Sequence, residues 1–366
     1  MAVLASQDAS AKQGIQAVEE IQLWDFRSDK LVSEKVLSPQ WVPSPDAAYE
    51  RQTYLYAYSQ SGSVVVLCGN GRLTLLDSKR FEVLRNIDLD MAAWPKFPPN
   101  SSSWSFVKRL SLDRGADRAA VLLQWGVGGG GELRVYDLRS GGLVRKWDYH
   151  DLRKEAERYA DFGGADIAPD GRTVAISLIP FVLGEGVLHA ADRNVFVLDV
   201  DSGEKVSAIN TGYPAGDVCF AATDPATLLT VSADNFDRER SRTDAIKVWD
   251  PLTGKLLREL YGPPGGVHFQ VQASLDGRVA LGYAGMETFE GHWWRLQEET
   301  GSVAYDQFCL WNLATAHLIA CSPEIPPLGS GSRRDFLLSP TGDAVLIYPT
   351  LDVGGPLTFY DLQPAP

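Results

Sequence analysis

The sequence predicts an all-β chain in which one four-stranded antiparallel unit repeats along a single domain, residues 1–366. Three observations predict it: a short motif at near-regular spacing, Gly-containing turns between apolar runs, and a composition suited to many short strands. The composition supplies 34 Gly and 21 Pro for turns, and 10 Trp, 13 Tyr and 14 Phe for strand faces. Repetition is considered first, because a fixed period decides the whole architecture.

Seven segments share alternating apolar residues, then an aromatic or Leu, then Asp or Asn. They are Ile21–Asp25 (IQLWD), Leu73–Asp77 (LTLLD), Leu133–Asp137 (LRVYD), Val195–Asp199 (VFVLD), Ile246–Asp250 (IKVWD), Phe308–Asn312 (FCLWN) and Leu357–Asp361 (LTFYD). The closing residue recurs at intervals of 52, 60, 62, 51, 62 and 49. Each copy but the last is followed by a tight turn and a second apolar run, as in DLRSGGLVRKW and DPLTGKLLREL. Gly supplies the positive φ that such hairpins need. Upstream lie two more strands, bent at Asp170-Gly171, Asp276-Gly277 and Thr341-Gly342. The unit is therefore four strands, a to d, with the motif ending strand c. Closing such units radially into a β-propeller removes exposed sheet edges.

The chain resembles the WD-repeat propeller family over almost its whole length. The motifs LWD at 23–25, VWD at 248–250 and LWN at 310–312 carry the likeness, with APDGR and SPTGD as preceding turns. It implies a structural role for Trp24, Asp25, Asp77, Asp137, Asp199, Trp249, Asp250, Trp311, Asn312 and Asp361. Two departures mark a divergent, bacterial-style member: the blades are long, and no blade has the family's Gly-His before strand a. Gly291-His292 lies in an insertion, so the hydrogen-bonded tetrad anchored by that His is expected to be absent.

Six intervals of four strands, plus strand c at Ile21–Phe26 and a strand b at Met1–Gln7, give 26 strands. That is two short of seven blades. The missing pair is the d strand of the last blade and the a strand of the first. Seven blades with a truncated or divergent N-terminus is the expectation, and a six-bladed ring closed by the N-terminal segment is the alternative. The same deficit suits the sensor or scaffold end of a longer polypeptide.

Extra length gathers in the b–c loops Gly126–Glu132, Pro180–Asn194, Asp234–Ala245 and Gly285–Gln307. It also gathers in the d–a loops Ser38–Arg51, Asp90–Ser103 and Tyr149–Ala160, where Leu152–Tyr159 has charges at helical spacing. Both loop types emerge on one face of the disc, at the mouth of the central channel. Trp41, Trp94, Phe97, Trp125, Phe181, Tyr213, Phe289, Trp293 and Trp294 make this the candidate binding face, since such rings anchor interfaces. The competing reading buries them in satellite clusters beneath the loops.

Formal net charge is −13, which disfavours non-specific nucleic-acid binding. The apolar runs Val64–Cys68 and Ala119–Leu123 are too short to span a bilayer. The opening MAVLASQDASAKQG has no secretory pattern, so a cytoplasmic location is expected. Asp234, Asn235 and Asp237 lack the Gly and distal Glu of a calcium loop. His150, His189, His268, His292 and His317 share no ligand spacing, and GVGGGG at 126–131 is not closed by Lys-Ser/Thr before a helix. No Gly-x-Ser-x-Gly elbow occurs. No catalytic residue, metal or cofactor is called for. Cys309 and Cys321 fall on adjacent strands of one hairpin and could meet, but four small buried cysteines is the preferred reading. The expected function is a non-catalytic scaffold or sensor, a monomer or part of a larger polypeptide, that binds a protein or peptide on the loop-rich face. The alternative is a small-molecule or sugar site at the channel mouth, enzymatic as in quinoprotein-like propellers.

Overall fold

A computed structural model describes residues 2–7, 19–25, 30–36, 55–69, 71–80, 82–90, 105–125, 130–148, 151–152, 160–180, 194–212, 215–232, 245–262, 266–287, 303–322, 325, 334–339, 341–349 and 358–361. Among them are seven antiparallel sheets. Five have four strands, and the first and last have three. The first sheet is β1 (Ala2–Gln7), β2 (Glu19–Asp25) and β3 (Lys30–Val36). The second is β4 (Leu55–Tyr58), β5 (Val64–Gly69), β6 (Arg72–Asp77) and β7 (Val83–Asp88). The third is β8 (Ser105–Leu112), β9 (Arg118–Trp125), β10 (Gly131–Asp137) and β11 (Leu143–Asp148). The fourth is β12 (Ala160–Ile167), β13 (Thr173–Pro180), β14 (Val195–Asp199) and β15 (Lys205–Ile209). The fifth is β16 (Ala215–Ala221), β17 (Thr227–Ser232), β18 (Ala245–Trp249) and β19 (Leu256–Tyr261). The sixth is β20 (Gly266–Ala273), β21 (Val279–Glu287), β22 (Val303–Asn312) and β23 (Leu318–Cys321). The seventh is β24 (Arg334–Leu338), β25 (Ala344–Pro349) and β26 (Thr358–Asp361).

The first strands β4, β8, β12, β16, β20 and β24 lie against one another in succession. The apolar cores lie between sheets. Val66 and Leu73 pack with Val121 and Tyr136, Leu122 and Val135 with Phe162 and Ile176, and Val197 with Val218 and Leu228. Ile246 packs with Val271 and Trp311, and Tyr283 and Phe308 with Phe336 and Val345. Sheets covered on both faces explain the continuous apolar runs of β5 and β9, because alternation marks a sheet with one wet face. Fourth strands are the exposed ones: β7 buries only Ile87. This is the radial packing of a β-propeller, with first strands innermost.

The motif residues cap the turns between third and fourth strands. Asp137 Oδ1 accepts from Ser140 N (2.6 Å), Asp199 Oδ1 from Ser202 N (2.7 Å), and Asn312 Oδ1 from Ala314 N (2.9 Å) and Thr315 N (3.0 Å). Asp77 and Asp250 do the same at Lys79, Arg80 and Leu252. Those turn N–H groups hold the carboxyls of Asp77, Asp137 and Asp199 below the ordinary range, and for Asp250 the Thr253 hydroxyl is the main cause. Trp249 and Trp311 are buried, their indole N–H groups donating to Thr230 Oγ1 and to the Tyr261 carbonyl, both at 2.9 Å. The turns between first and second strands are equally regular, with Gly171, Gly277 and Gly342 at φ 71°, 72° and 71°.

Neighbouring sheets are also latched at the rim. The third residue of a fourth strand donates to carbonyls of the next sheet's outer turn: Arg85 to Ser140 (2.9 Å), Ser207 to Pro251 (2.5 Å), and Arg258 to Leu313 (2.5 Å) and Ala314 (2.8 Å). Arg145 bonds Val200 (3.2 Å) and Asp201 in the same way.

Two expectations change. Cys309 and Cys321 are cross-strand partners and are disulfide-bonded, with Cα atoms 4.1 Å apart, whereas Cys68 and Cys219 are free. Their register opposes them directly, so the preferred reading of four unbonded cysteines fails for this pair. The segment Gly285–Gln307 is not all loop, because β21 and β22 stay paired out to Glu287 and Val303. Of the helix expected at 152–159, Asp151–Leu152 is helical and the remainder lies outside the described residues.

Candidate functional site on the inner strands and loop-bearing face

Each inner strand runs from the loop-bearing face toward the face with short turns. Near its loop-bearing end a bulge interrupts pairing in β8 (Val107/Arg109), β12 (Phe162/Ala165), β16 (Ala215/Asp217) and β20 (His268/Gln270). A bulge re-aims the side chains beside it, and here it sets a polar layer near the axis.

The centre of that layer is an ion pair. Arg109 Nη2 lies 3.0 and 2.8 Å from the two carboxylate oxygens of Asp217. Asp217 is 5% exposed and Arg109 29%. Asp217 also accepts from Val218 N (3.0 Å) and from Val271 N of the next sheet (3.2 Å). Burial raises the Asp217 carboxyl above its ordinary value, and Arg109 opposes that shift. Between the two strands passes β12, which has Gly163-Gly164 here. A Cβ on Gly164 would stand 2.4 Å from Asp217 Oδ1, and one on Gly163 would stand 2.4 Å from the Ala215 carbonyl. Two glycines therefore let the arginine reach the sheet beyond its neighbour.

Closer to the short turns, equivalent side chains on inner strands each accept an N–H from the next. Ile167 N donates to Ser111 Oγ (3.1 Å), Phe220 N to Asp166 Oδ2 (2.6 Å), and Leu338 N to Gln272 Oε1 (3.0 Å). Gln272 Nε2 returns a bond to the Phe336 carbonyl at 3.0 Å. Asp166 is the carboxylate of this series. Burial pushes its carboxyl up to about 6, against the Phe220 N–H and Arg109. The series spans three sheet boundaries with three residue types, which marks Asp166 as a connector between blades. At the short-turn face Gln60 Nε2 donates to the Leu275 carbonyl at 2.7 Å, joining turns of the second and sixth sheets across the axis.

Of the aromatics expected on the binding face, Trp125 is described. It ends β9 half-buried and packs against the core of Val121 and Leu123. Trp41, Trp94, Phe97, Phe181, Tyr213, Phe289, Trp293 and Trp294 lie outside the described residues, as do the side chains of Trp24, Asp25 and Asp361. Sequence patterns did not single out Arg109, Asp166 or Asp217; the double Gly at 163–164 was the available signal. No group of three or more metal-ligating side chains occurs among the described residues.

The fold is that of a WD-like β-propeller. No family model and no curated protein matches the sequence. Among solved structures, the C-terminal WD40 domain of Sif2 is similar with a TM-score of 0.55 at 13% identity, over 99% of this chain and 78% of that one. Hydrazine synthase of Kuenenia stuttgartiensis is similar with a TM-score of 0.52 at 14% identity, over 84% of this chain and 76% of that one. At such identities the likeness is one of fold. No helix among the described residues is long and apolar enough to cross a membrane.

Proposed function

We propose that the propeller is a non-catalytic interaction scaffold that binds a protein or peptide through its loop-bearing face. The observation that carries the reading is the asymmetry of the disc. The inner turns at 59–63, 113–117, 168–172, 222–226, 274–278 and 339–343 are each five residues long, while among the connections that join the opposite strand ends, 37–54, 89–104, 181–194, 233–244 and 288–302 are each twelve residues or more in sequence. Long loops on a rigid scaffold are where propellers carry recognition. Arg109 and Asp217, the charged pair of the inner layer, are engaged with each other. A random peptide library displayed on phage tests the reading. Peptides should be selected by the native protein and lose binding by tenfold or more, about 1.4 kcal/mol, when Trp293 and Trp294 are both replaced by Ala in a protein that still melts cooperatively. Binding indifferent to that replacement, and equal on heat-unfolded protein, would remove this face from consideration.

A further inference from the structure

Two connections on the loop-bearing face are held at their roots by a device that repeats. Arg134 on β10 and Lys247 on β18 stand three residues before the motif residues Asp137 and Asp250. Each reaches back to the preceding sheet and donates to a main-chain carbonyl at the end of its fourth strand. Arg134 Nη1 lies 2.5 Å from the Leu89 oxygen, and Lys247 Nζ lies 2.7 Å from the Thr211 oxygen. Leu89 and Thr211 are themselves equivalent, twelve residues after Asp77 and Asp199. Both are buried, and their N–H groups are engaged as well, Leu89 N with the Gly71 carbonyl (2.7 Å) and Thr211 N with Asn194 Oδ1 (3.1 Å). The residue that follows is left-handed in each case, Asp90 at φ 50° and Gly212 at φ 84°. Gly takes that conformation freely and Asp more readily than most residues. With N–H and C=O both held and the next residue left-handed, the direction in which the chain leaves the sheet is set.

Arg134 does more than neutralise a neighbouring carboxylate. It is 4% exposed, and its Nε and Nη2 atoms both lie 2.6 Å from Glu132 Oε2, while Lys146 Nζ lies 3.1 Å from Oε1. Glu132 on its own strand satisfies its charge; the bond to Leu89 is made to another sheet. A lysine makes the counterpart bond in the fifth sheet, so what the two positions share is a cationic donor aimed at a loop root. The connections that start there carry aromatic residues in sequence, Trp94 and Phe97 in the first and Tyr213 in the second. We infer that Arg134 and Lys247 are positioning residues of the binding face, holding the points from which these two connections depart so that a protein or peptide partner meets preset loop roots. The inference rests on the binding function proposed above. Preset roots strengthen binding because less chain has to be ordered when the partner arrives.

The probe is a synthetic peptide selected on phage by the native protein, titrated into the 366-residue protein well below each variant's melting temperature. Arg134→Met should weaken its binding about tenfold or more, because a released root has to be ordered on binding. Arg134→Lys should restore parent-like binding, since Lys247 makes the same bond in the fifth sheet. Removing the guanidinium alone leaves Glu132 buried with less compensation. Glu132→Gln/Arg134→Met, which removes both charges, is therefore measured beside it and should show the same loss. Without peptide, hydrogen exchange of the Leu89 amide should speed about tenfold in both Met variants and stay slow in Arg134→Lys. Lys247→Met should speed the Thr211 amide in the same way. Parent-like affinity in folded Met variants would overturn the inference, as would unchanged exchange at Leu89 and Thr211 or an equal loss in Arg134→Lys. Binding lost in the Trp293/Trp294 variant but kept in Arg134→Met fails this inference alone. A library that yields no peptide fails it together with the binding function on which it rests.

Discussion

Arg109 on β8 and Asp217 on β16 form a two-bond ion pair at 2.8 and 3.0 Å across the intervening strand β12, so one side-chain contact joins the third sheet to the fifth. Its strength comes from Asp217, which is buried and accepts two backbone N–H groups besides. Removing the cation leaves a dehydrated carboxylate uncompensated.

Arg109→Ala should therefore destabilise the protein by about 2–3 kcal/mol, below the range for a fully buried pair because Arg109 keeps some water. Asp217→Asn should cost less than Arg109→Ala, since the amide oxygen still accepts from Val271 and the charge left behind, on Arg109, keeps more water than Asp217 does. Gly164→Ala should cost at least as much as Arg109→Ala, because its Cβ would fall 2.4 Å from Asp217 Oδ1. Urea unfolding of the three variants measures this, and equal stability of Arg109→Ala and the parent would refute the coupling.

Asp166 gives a pH dependence of definite sign. Its carboxyl is pushed up to about 6 by burial from an ordinary value of 3.8, so the folded state favours the protonated form. The stability tied to this group is fully present below about pH 4 and is lost as pH rises through about 6. Asp166→Asn keeps an oxygen for the Phe220 N–H and places its amide beside Ser111. The variant should lose this pH-dependent term between pH 4 and 7 and gain about 1–2 kcal/mol at pH 7, the full shift being reduced because Asp166 is only partly shielded from water. Thermal unfolding at a series of pH values reads it out, and parallel profiles for parent and variant would contradict it.

Thiol chemistry should divide the four cysteines into two classes. Burial pushes the thiols of Cys68 and Cys219 well up, so native protein should react slowly with a thiol reagent such as Ellman's. Unfolding without reductant should expose two thiols, and unfolding after reduction four, because Cys309 and Cys321 are bonded. Disulfides persist in oxidising compartments and are rare in a reducing cytoplasm. The titre of protein taken directly from its native compartment therefore also bears on where the chain works. Four thiols in unreduced protein would place that pair in the reduced state.

The strand inventory, the turns and the radial repeat were legible in the sequence because each is a local property. Period-two alternation, a turn Gly and a carboxylate one turn before its N–H partners act within about six residues. Asp137, Asp199, Asp250 and Asn312 sit where their letters place them. The arginines of the rim latch were visible as letters in LRN, VRK and LRE, but their acceptors are carbonyls of the next sheet, more than fifty residues away. The same holds for the Arg109–Asp217 pair, separated by 108 positions, and for Gln60 and Leu275, separated by 215. Cys309 opposite Cys321 needed the register of β22 and β23, which a single-residue slip would have undone. Local physics determined which strands this chain makes. Only tertiary packing decided which strand faces which, and with it where a buried charge finds its counterpart.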